Sequence, residues 1–214
     1  MSGKTARMIA MLDGQSVIPV IRIDNASDAP PLARALAAGG LRAIEITLRT
    51  PQALESIRRA AGETEEALIG AGTILNARQF DDAVAAGARF IVSPGLTPEL
   101  VAAAQGSEVP LLPGAITPGE VMAALEAGLD FLKFFPAEQA GGAAFLKALS
   151  GPIPDVRFCP TGGVTANNAA AYLDLANVVC VGGSWVAPDE MVRAGDWSGI
   201  EGLAREASAL RAGR

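Results

Sequence analysis

The sequence predicts an α/β protein, a single (β/α)8 barrel of the TIM class carrying an extra N-terminal helix. Three observations carry that expectation. Short apolar runs alternate with Ala/Leu-rich segments along all 214 residues. The stretches AAGGLRAIEIT, AAGARFIVSP and EAGLDFLKFFP share one design, in which a helix closes on glycine and an apolar strand follows. Glycine suits that closing position because it tolerates the left-handed conformation. Strand starts recur about 20 to 25 residues apart, the room that parallel strands with crossover helices need. A doubly wound open sheet competes, but the first β-α turn, Ile23-Asp24-Asn25-Ala26, lacks the glycine-rich dinucleotide fingerprint. The repeats vary too much in sequence for a solenoid.

In chain order, residues 1–16 read as the extra helix and 17–195 as the barrel. Strands are expected at 17–23, Ala43–Thr47, 67–72, 90–94, 111–115, 131–135, 157–162 and 178–182. Thr50-Pro51, Thr97-Pro98 and Thr117-Pro118 each place a capping hydroxyl before a proline at the first helical position. Asn76 is a further candidate cap, and 196–214 read as a terminal helix. No linker interrupts the series, so 1–214 is expected to be one domain.

Half of the chain is hydrophobic and 19% is charged, enough to bury a core and to exclude disorder. The net charge of −6 leaves no basic footprint for nucleic acid or an anionic membrane. The apolar stretch before Asp13 is too short for a secretory signal, and no run reaches the roughly 18 residues of a spanning helix. A soluble cytoplasmic protein is expected. Cys159 and Cys180 lack metal-ligand spacing and sit in strand-like runs, as reduced core residues do.

The count of zero histidines excludes Ser-His-Asp and Cys-His nucleophile systems, imidazole acid/base chemistry and His-ligated metals. Chemistry must then use carboxylates, lysine, arginine, hydroxyls, backbone amides or a borrowed cofactor. Of the three lysines, Lys4 is expected in a frayed terminus and Lys147 on an exposed helical face. Lys133 interrupts an apolar strand. Strand alternation puts it on one face with Phe131 and Phe135, opposite Leu132 and Phe134. The outer face of a barrel lies under helices, so Lys133 must point inward. Burial there disfavours the ammonium and favours the neutral amine that attacks a carbonyl. A buried structural ion pair fits the strand equally well.

A second inward set is Glu45, Thr47 and Arg49, alternating with Ile44, Ile46 and Leu48. Arg49 falls beyond the C-terminal end of its strand, where barrel active sites are built. Glu45 could merely neutralise a cation, but burying both ions is costly, and a carboxylate beside an amine can also shuttle protons. Pro160-Thr161-Gly162-Gly163 and Gly182-Gly183-Ser184 end the last two strands, the usual barrel site for a phosphate. There backbone amides, helped by a following helix N-terminus, can meet an anion closely. Together these residues suit Schiff-base carbon–carbon chemistry on a phosphorylated keto acid. Trp185 and Trp197 look exposed.

GAGT (70–73), SPG (93–95), FLKFFPAE (131–138), RFCPTGG (157–163) and VGGSW (181–185) together resemble the 2-keto-3-deoxy-6-phosphogluconate (KDPG) aldolase / 4-hydroxy-2-oxoglutarate (KHG) aldolase family. The resemblance runs from about residue 17 to 207 and implies a homotrimeric class I aldolase of the Entner–Doudoroff route. Such an enzyme splits KDPG into pyruvate and glyceraldehyde 3-phosphate, with neither metal nor cofactor. It further implies Lys133 as the Schiff-base lysine and Glu45 as general acid/base, with Arg49 and Thr73 holding the pyruvate carboxylate. Pro94 and Phe135 would be pocket walls, Thr161 a contact to a substrate hydroxyl, and Gly162, Gly163, Gly183 and Ser184 the phosphate site. The rival substrates are 4-hydroxy-2-oxoglutarate and the galactonate epimer of KDPG. A phosphosugar isomerase or epimerase and a non-catalytic sugar-phosphate binder are weaker rivals, since neither needs Lys133.

Overall fold

In a computed structural model, which describes residues 3–12 and 14–210, the expected alternation folds into parallel strands wrapped by helices. The strands are β1 (Val17–Ile21), β2 (Ala43–Thr47), β3 (Leu68–Gly72), β4 (Ile91–Val92), β5 (Leu111–Leu112), β6 (Phe131–Phe134), β7 (Arg157–Pro160) and β8 (Val181–Gly183). Six of them form a curled parallel sheet in the order β5-β4-β3-β2-β1-β8, and β6 and β7 form a two-stranded ribbon. Single parallel bridges join ribbon to sheet, Gly114 to Lys133 on one side and Phe158 to Val178 and Thr161 to Gly182 on the other. Every strand thus has a neighbour on both sides. The ladders at β4 and β5 are shorter than expected. They stop ahead of Pro94 and Pro113, which carry no N–H to extend them.

Around the sheet run α2 (Ala29–Ala38), α3 (Ala53–Glu63), α4 (Ala77–Ala85), α5 (Pro98–Gln105), α6 (Pro118–Glu126), α7 (Gly142–Leu149), α8 (Ala169–Leu173), α9 (Asp189–Ala194) and α10 (Trp197–Ser208). Asn76, Thr97 and Thr117 cap α4, α5 and α6 as expected, Thr117 within a full capping box with Glu120. Thr50 does not cap. Its hydroxyl donates to the Ile23 carbonyl at 2.6 Å, and α3 begins only after Gln52. Gly40, Gly87 and Gly128 close their helices with φ of 95°, 102° and 79°, in the left-handed region.

Helix α1 (Gly3–Leu12) closes the N-terminal end of the barrel. Its Met8 and Leu12 pack inside the ring with Ile18, Phe90, Val92, Leu112, Phe131, Cys159 and Cys180. A second, outer core joins the other strand faces to the helices and includes Ile44, Ile46, Leu132 and Phe134. The buried Gln15 side chain ties β1 to β2, accepting from the Ala43 amide at 2.8 Å and donating to the Val17 carbonyl at 2.6 Å.

Lys4 is not frayed: its ammonium donates to the Ala104 and Gln105 carbonyls at the C-terminal end of α5, where the helix dipole favours a cation. Trp185 and Trp197 are half-buried rather than exposed, packed against the outer core. The expected first and last helices extend onto residues 1, 2, 13 and 211–214, which lie outside the described residues. Among the described residues, no helix is long and apolar enough to cross a membrane.

Candidate active site

At the C-terminal ends of the strands lies a cavity of about 300 Å³. Its lining includes every site residue expected from the sequence: Glu45, Arg49, Thr73, Pro94, Lys133, Phe135, Thr161, Gly162, Gly163, Gly183 and Ser184. Lys133 and Glu45 meet in its floor, 6% and 3% exposed. The Lys133 ammonium donates to Glu45 Oε1 at 3.3 Å and lies 5.3 Å from the centre of the Phe135 ring. Strand parity explains why they meet. Lys133 follows Phe131 by two on β6, and Glu45 follows Ala43 by two on β2, so each continues an inward-facing row.

The register adds a requirement that the sequence pattern does not display. Glu45 lies against Gly72 of β3, where a Cβ would stand 1.9 Å from Glu45 Oε1. Only glycine leaves room for the carboxylate. Immediately after it, Thr73 has φ of 60°, an unusual state for a β-branched residue and one that concentrates at functional sites.

Arg49 stands at the cavity mouth, its Nε donating to Thr47 Oγ1 at 3.1 Å. Among the described residues no carboxylate lies within ion-pair distance of it. A guanidinium so placed is available to an anionic ligand. On the opposite side, Gly162 and Gly163 take φ of 97° and 76°. Their amides make no hydrogen bond among the described residues, which leaves them to a ligand. Close packing enforces glycine elsewhere in this wall. A Cβ on Gly182 would stand 2.3 Å from Thr161 Oγ1, and one on Gly183 would stand 1.8 Å from the Trp185 ring.

The expected helix-dipole contribution is corrected. Neither glycine loop runs directly into a helix: α8 and α9 are short helices of five and six residues starting at Ala169 and Asp189, and α9 opens with two acids. Sequence reasoning missed Val20 and Val164 in the lining. Val20 was accessible from parity, because it continues the inward row that starts at Ile18. Beyond the mouth, a second recess shares Val20, Arg49 and Ser184 with the cavity and adds Arg22, which pairs with Asp24 at 2.6 Å.

Comparison with known proteins gives the geometry a lineage. A model of the KDPG and KHG aldolase family matches residues 8–203. The 2-dehydro-3-deoxy-phosphogluconate aldolase of Pseudomonas aeruginosa is 53% identical over 204 residues, 95% of this chain and 93% of that one. Among solved structures, KDPG aldolase from Legionella pneumophila, with pyruvate captured as a covalent carbinolamine intermediate, superposes with a TM-score of 0.91 at 49% identity, covering 94% of this chain and 97% of that one. The 2-keto-3-deoxy-6-phosphogluconate aldolase of Zymomonas mobilis ZM4, with 3-phosphoglycerate, gives 0.89 at 47% identity and covers 96% and 97%. The family match spans most of the length and the identities stand near one residue in two, so the chain belongs to the KDPG and KHG aldolase family.

Proposed function

We infer that the protein is a class I aldolase, a lyase that cleaves KDPG reversibly into pyruvate and glyceraldehyde 3-phosphate. The observation that carries this reading is the buried pair of Lys133 and Glu45, 3.3 Å apart in the floor of the cavity. Burying two ions costs several kcal/mol each, which makes a purely structural pair an expensive way to fill a core. An amine and a carboxylate within mutual reach are what carbinolamine chemistry needs.

The Lys133 ammonium passes a proton to Glu45, 3.3 Å away, and the freed amine adds to the C2 ketone; Glu45 returns the proton to the carbinolamine hydroxyl, which leaves as water to give an iminium. Glu45 takes the proton from the C4 hydroxyl. The C3–C4 bonding pair flows into the iminium, which releases the aldehyde and leaves an enamine on Lys133. Protonation of the enamine at C3, followed by addition of water, frees pyruvate and regenerates the amine. The iminium is itself the electron sink, so the route needs no metal or cofactor. In this reading Arg49 and Thr73 hold the substrate carboxylate, Pro94 and Phe135 wall the pocket, and Thr161 meets a substrate hydroxyl. Gly162, Gly163, Gly183 and Ser184 take the phosphate.

The same amine and carboxylate would cleave 4-hydroxy-2-oxoglutarate, the second substrate in the family's name. The unbonded Gly162 and Gly163 amides favour the phosphorylated substrate. The galactonate epimer differs in its configuration at C4. By family membership, the reading extends to a homotrimer of single barrel domains working in the cytoplasm. The test is intact-mass analysis after incubation with pyruvate and borohydride, followed by peptide mapping. A single reduced pyruvyl adduct on Lys133 is the expected result; folded protein with no adduct would overturn the aldolase.

A further inference from the structure

Between Glu45 and Arg49 on the inward row of β2 stands Thr47, 1% exposed, a hydroxyl that the mechanism above does not use. Valine would fill the same volume in a strand without bringing a polar atom into the core. The hydroxyl must therefore be accounted for by its bonds. Its single proton is committed to the Ile21 carbonyl at the end of β1, at 2.9 Å. That bond orients the oxygen, leaving a lone pair that accepts Arg49 Nε–H at 3.1 Å. The relay thus runs from Arg49 through Thr47 to the backbone of the neighbouring strand.

A guanidinium can meet a carboxylate by two edges: the side edge, made of Nε and one Nη, and the end edge, made of both Nη groups. With Nε engaged by Thr47, the side edge is closed and the end edge is left for a ligand in the cavity that Arg49 lines. We propose that Thr47 is a positioning residue for the aldol reaction, which fixes Arg49 so that the substrate carboxylate is received end-on. This rests on the reading of Arg49 as the carboxylate holder. Arg49 is otherwise an exposed, long side chain, and immobilising it in advance removes an ordering cost from binding.

The test is a double-mutant cycle read by borohydride trapping over a range of pyruvate concentrations, with Thr47→Val, Arg49→Ala and the pair. Thr47→Val is expected to raise the half-saturating pyruvate concentration about 10-fold, with the maximal trapped fraction unchanged. Thr47→Ser, which keeps the hydroxyl, is expected to restore the wild-type value. In the Arg49→Ala background the valine is expected to add nothing, because its effect runs through the guanidinium. A valine variant with wild-type half-saturation would overturn the proposal. So would a valine effect of the same size with and without Arg49. If Arg49→Ala itself leaves pyruvate affinity intact, the carboxylate-holder reading falls first and takes the proposal with it. Should the valine chain fail to fold, Thr47→Ala stands in the same cycle.

Discussion

At the floor of the barrel Ala43, Phe131, Cys159 and Cys180 pack with Phe90 and with Met8 and Leu12 of α1. Two residues further along the same strands stand Glu45, Lys133, Thr161 and Gly182, all lining the cavity. Strand parity places both sets inside the ring, and position along the strand separates them. The floor of the barrel removes apolar surface from water, at about 2 to 3 kcal/mol for a phenylalanine, whereas the cavity end desolvates charges at a cost. Stability and chemistry therefore occupy opposite ends of one set of strands, the division that barrels in general display. The floor of the barrel supports the strain and the unpaired groups that the cavity end retains.

Variants at the two ends can break or sharpen this contrast. Lys133→Ala removes the nucleophile and is expected to abolish turnover while circular dichroism shows the fold intact; cleavage by that variant would remove Lys133 from the mechanism. Glu45→Gln keeps the shape of the floor of the cavity but not its proton carrier. A fall in kcat of ~10²–10⁴-fold is expected, with substrate still bound. An unchanged rate would reassign the base.

Phe131→Ala strikes the floor instead. It is expected to cost about 3–5 kcal/mol in chemical denaturation, while protein that remains folded retains its pyruvate adduct on Lys133. Loss of the adduct from folded Phe131→Ala protein would show that the two ends are not separable. The smallest effect belongs to neither end. Thr117→Ala breaks the capping box of α6 and is expected to cost about 1 kcal/mol with activity intact. Hydrogen bonds from the Thr117 and Ile116 amides hold the Glu120 carboxyl below the ordinary carboxylate range. Its contribution is therefore present above that range and lost as pH falls through it. Comparing acid unfolding of wild type with Glu120→Gln would reveal that component.

Much of this division was legible beforehand because it follows from period-two alternation. Lys133 and Glu45 stood out as charges in otherwise apolar strands, and the alternation forced them inward. What stayed hidden depends on contacts between distant segments. Nothing near Thr50 announces that its hydroxyl answers Ile23 instead of opening a helix. Lys4 could not be seen to reach α5 across a hundred residues of chain. The need for glycine at 72 arises only once β3 is registered beside β2, so that the Glu45 carboxylate occupies the space of the absent Cβ. The glycine loops are recognisable from composition, but the starts of α8 and α9 lie several residues beyond them, because loop geometry decides where a helix starts.

The join between β5 and β6 gives Lys133 a second duty. Its amide donates to the Pro113 carbonyl at 2.8 Å, and its own carbonyl accepts from the Ala115 amide at 2.9 Å. The backbone of the candidate nucleophile is thus a rivet between the six-stranded sheet, which carries Glu45, and the two-stranded ribbon. While that rivet is open, the ribbon still meets the sheet through the Phe158–Val178 and Thr161–Gly182 bridges, but the ring that faces the amine to the carboxylate is incomplete. When it shuts, the ring and the chemical pair are completed in one event. Recovery of catalysis during refolding would then serve as a clock for ring closure.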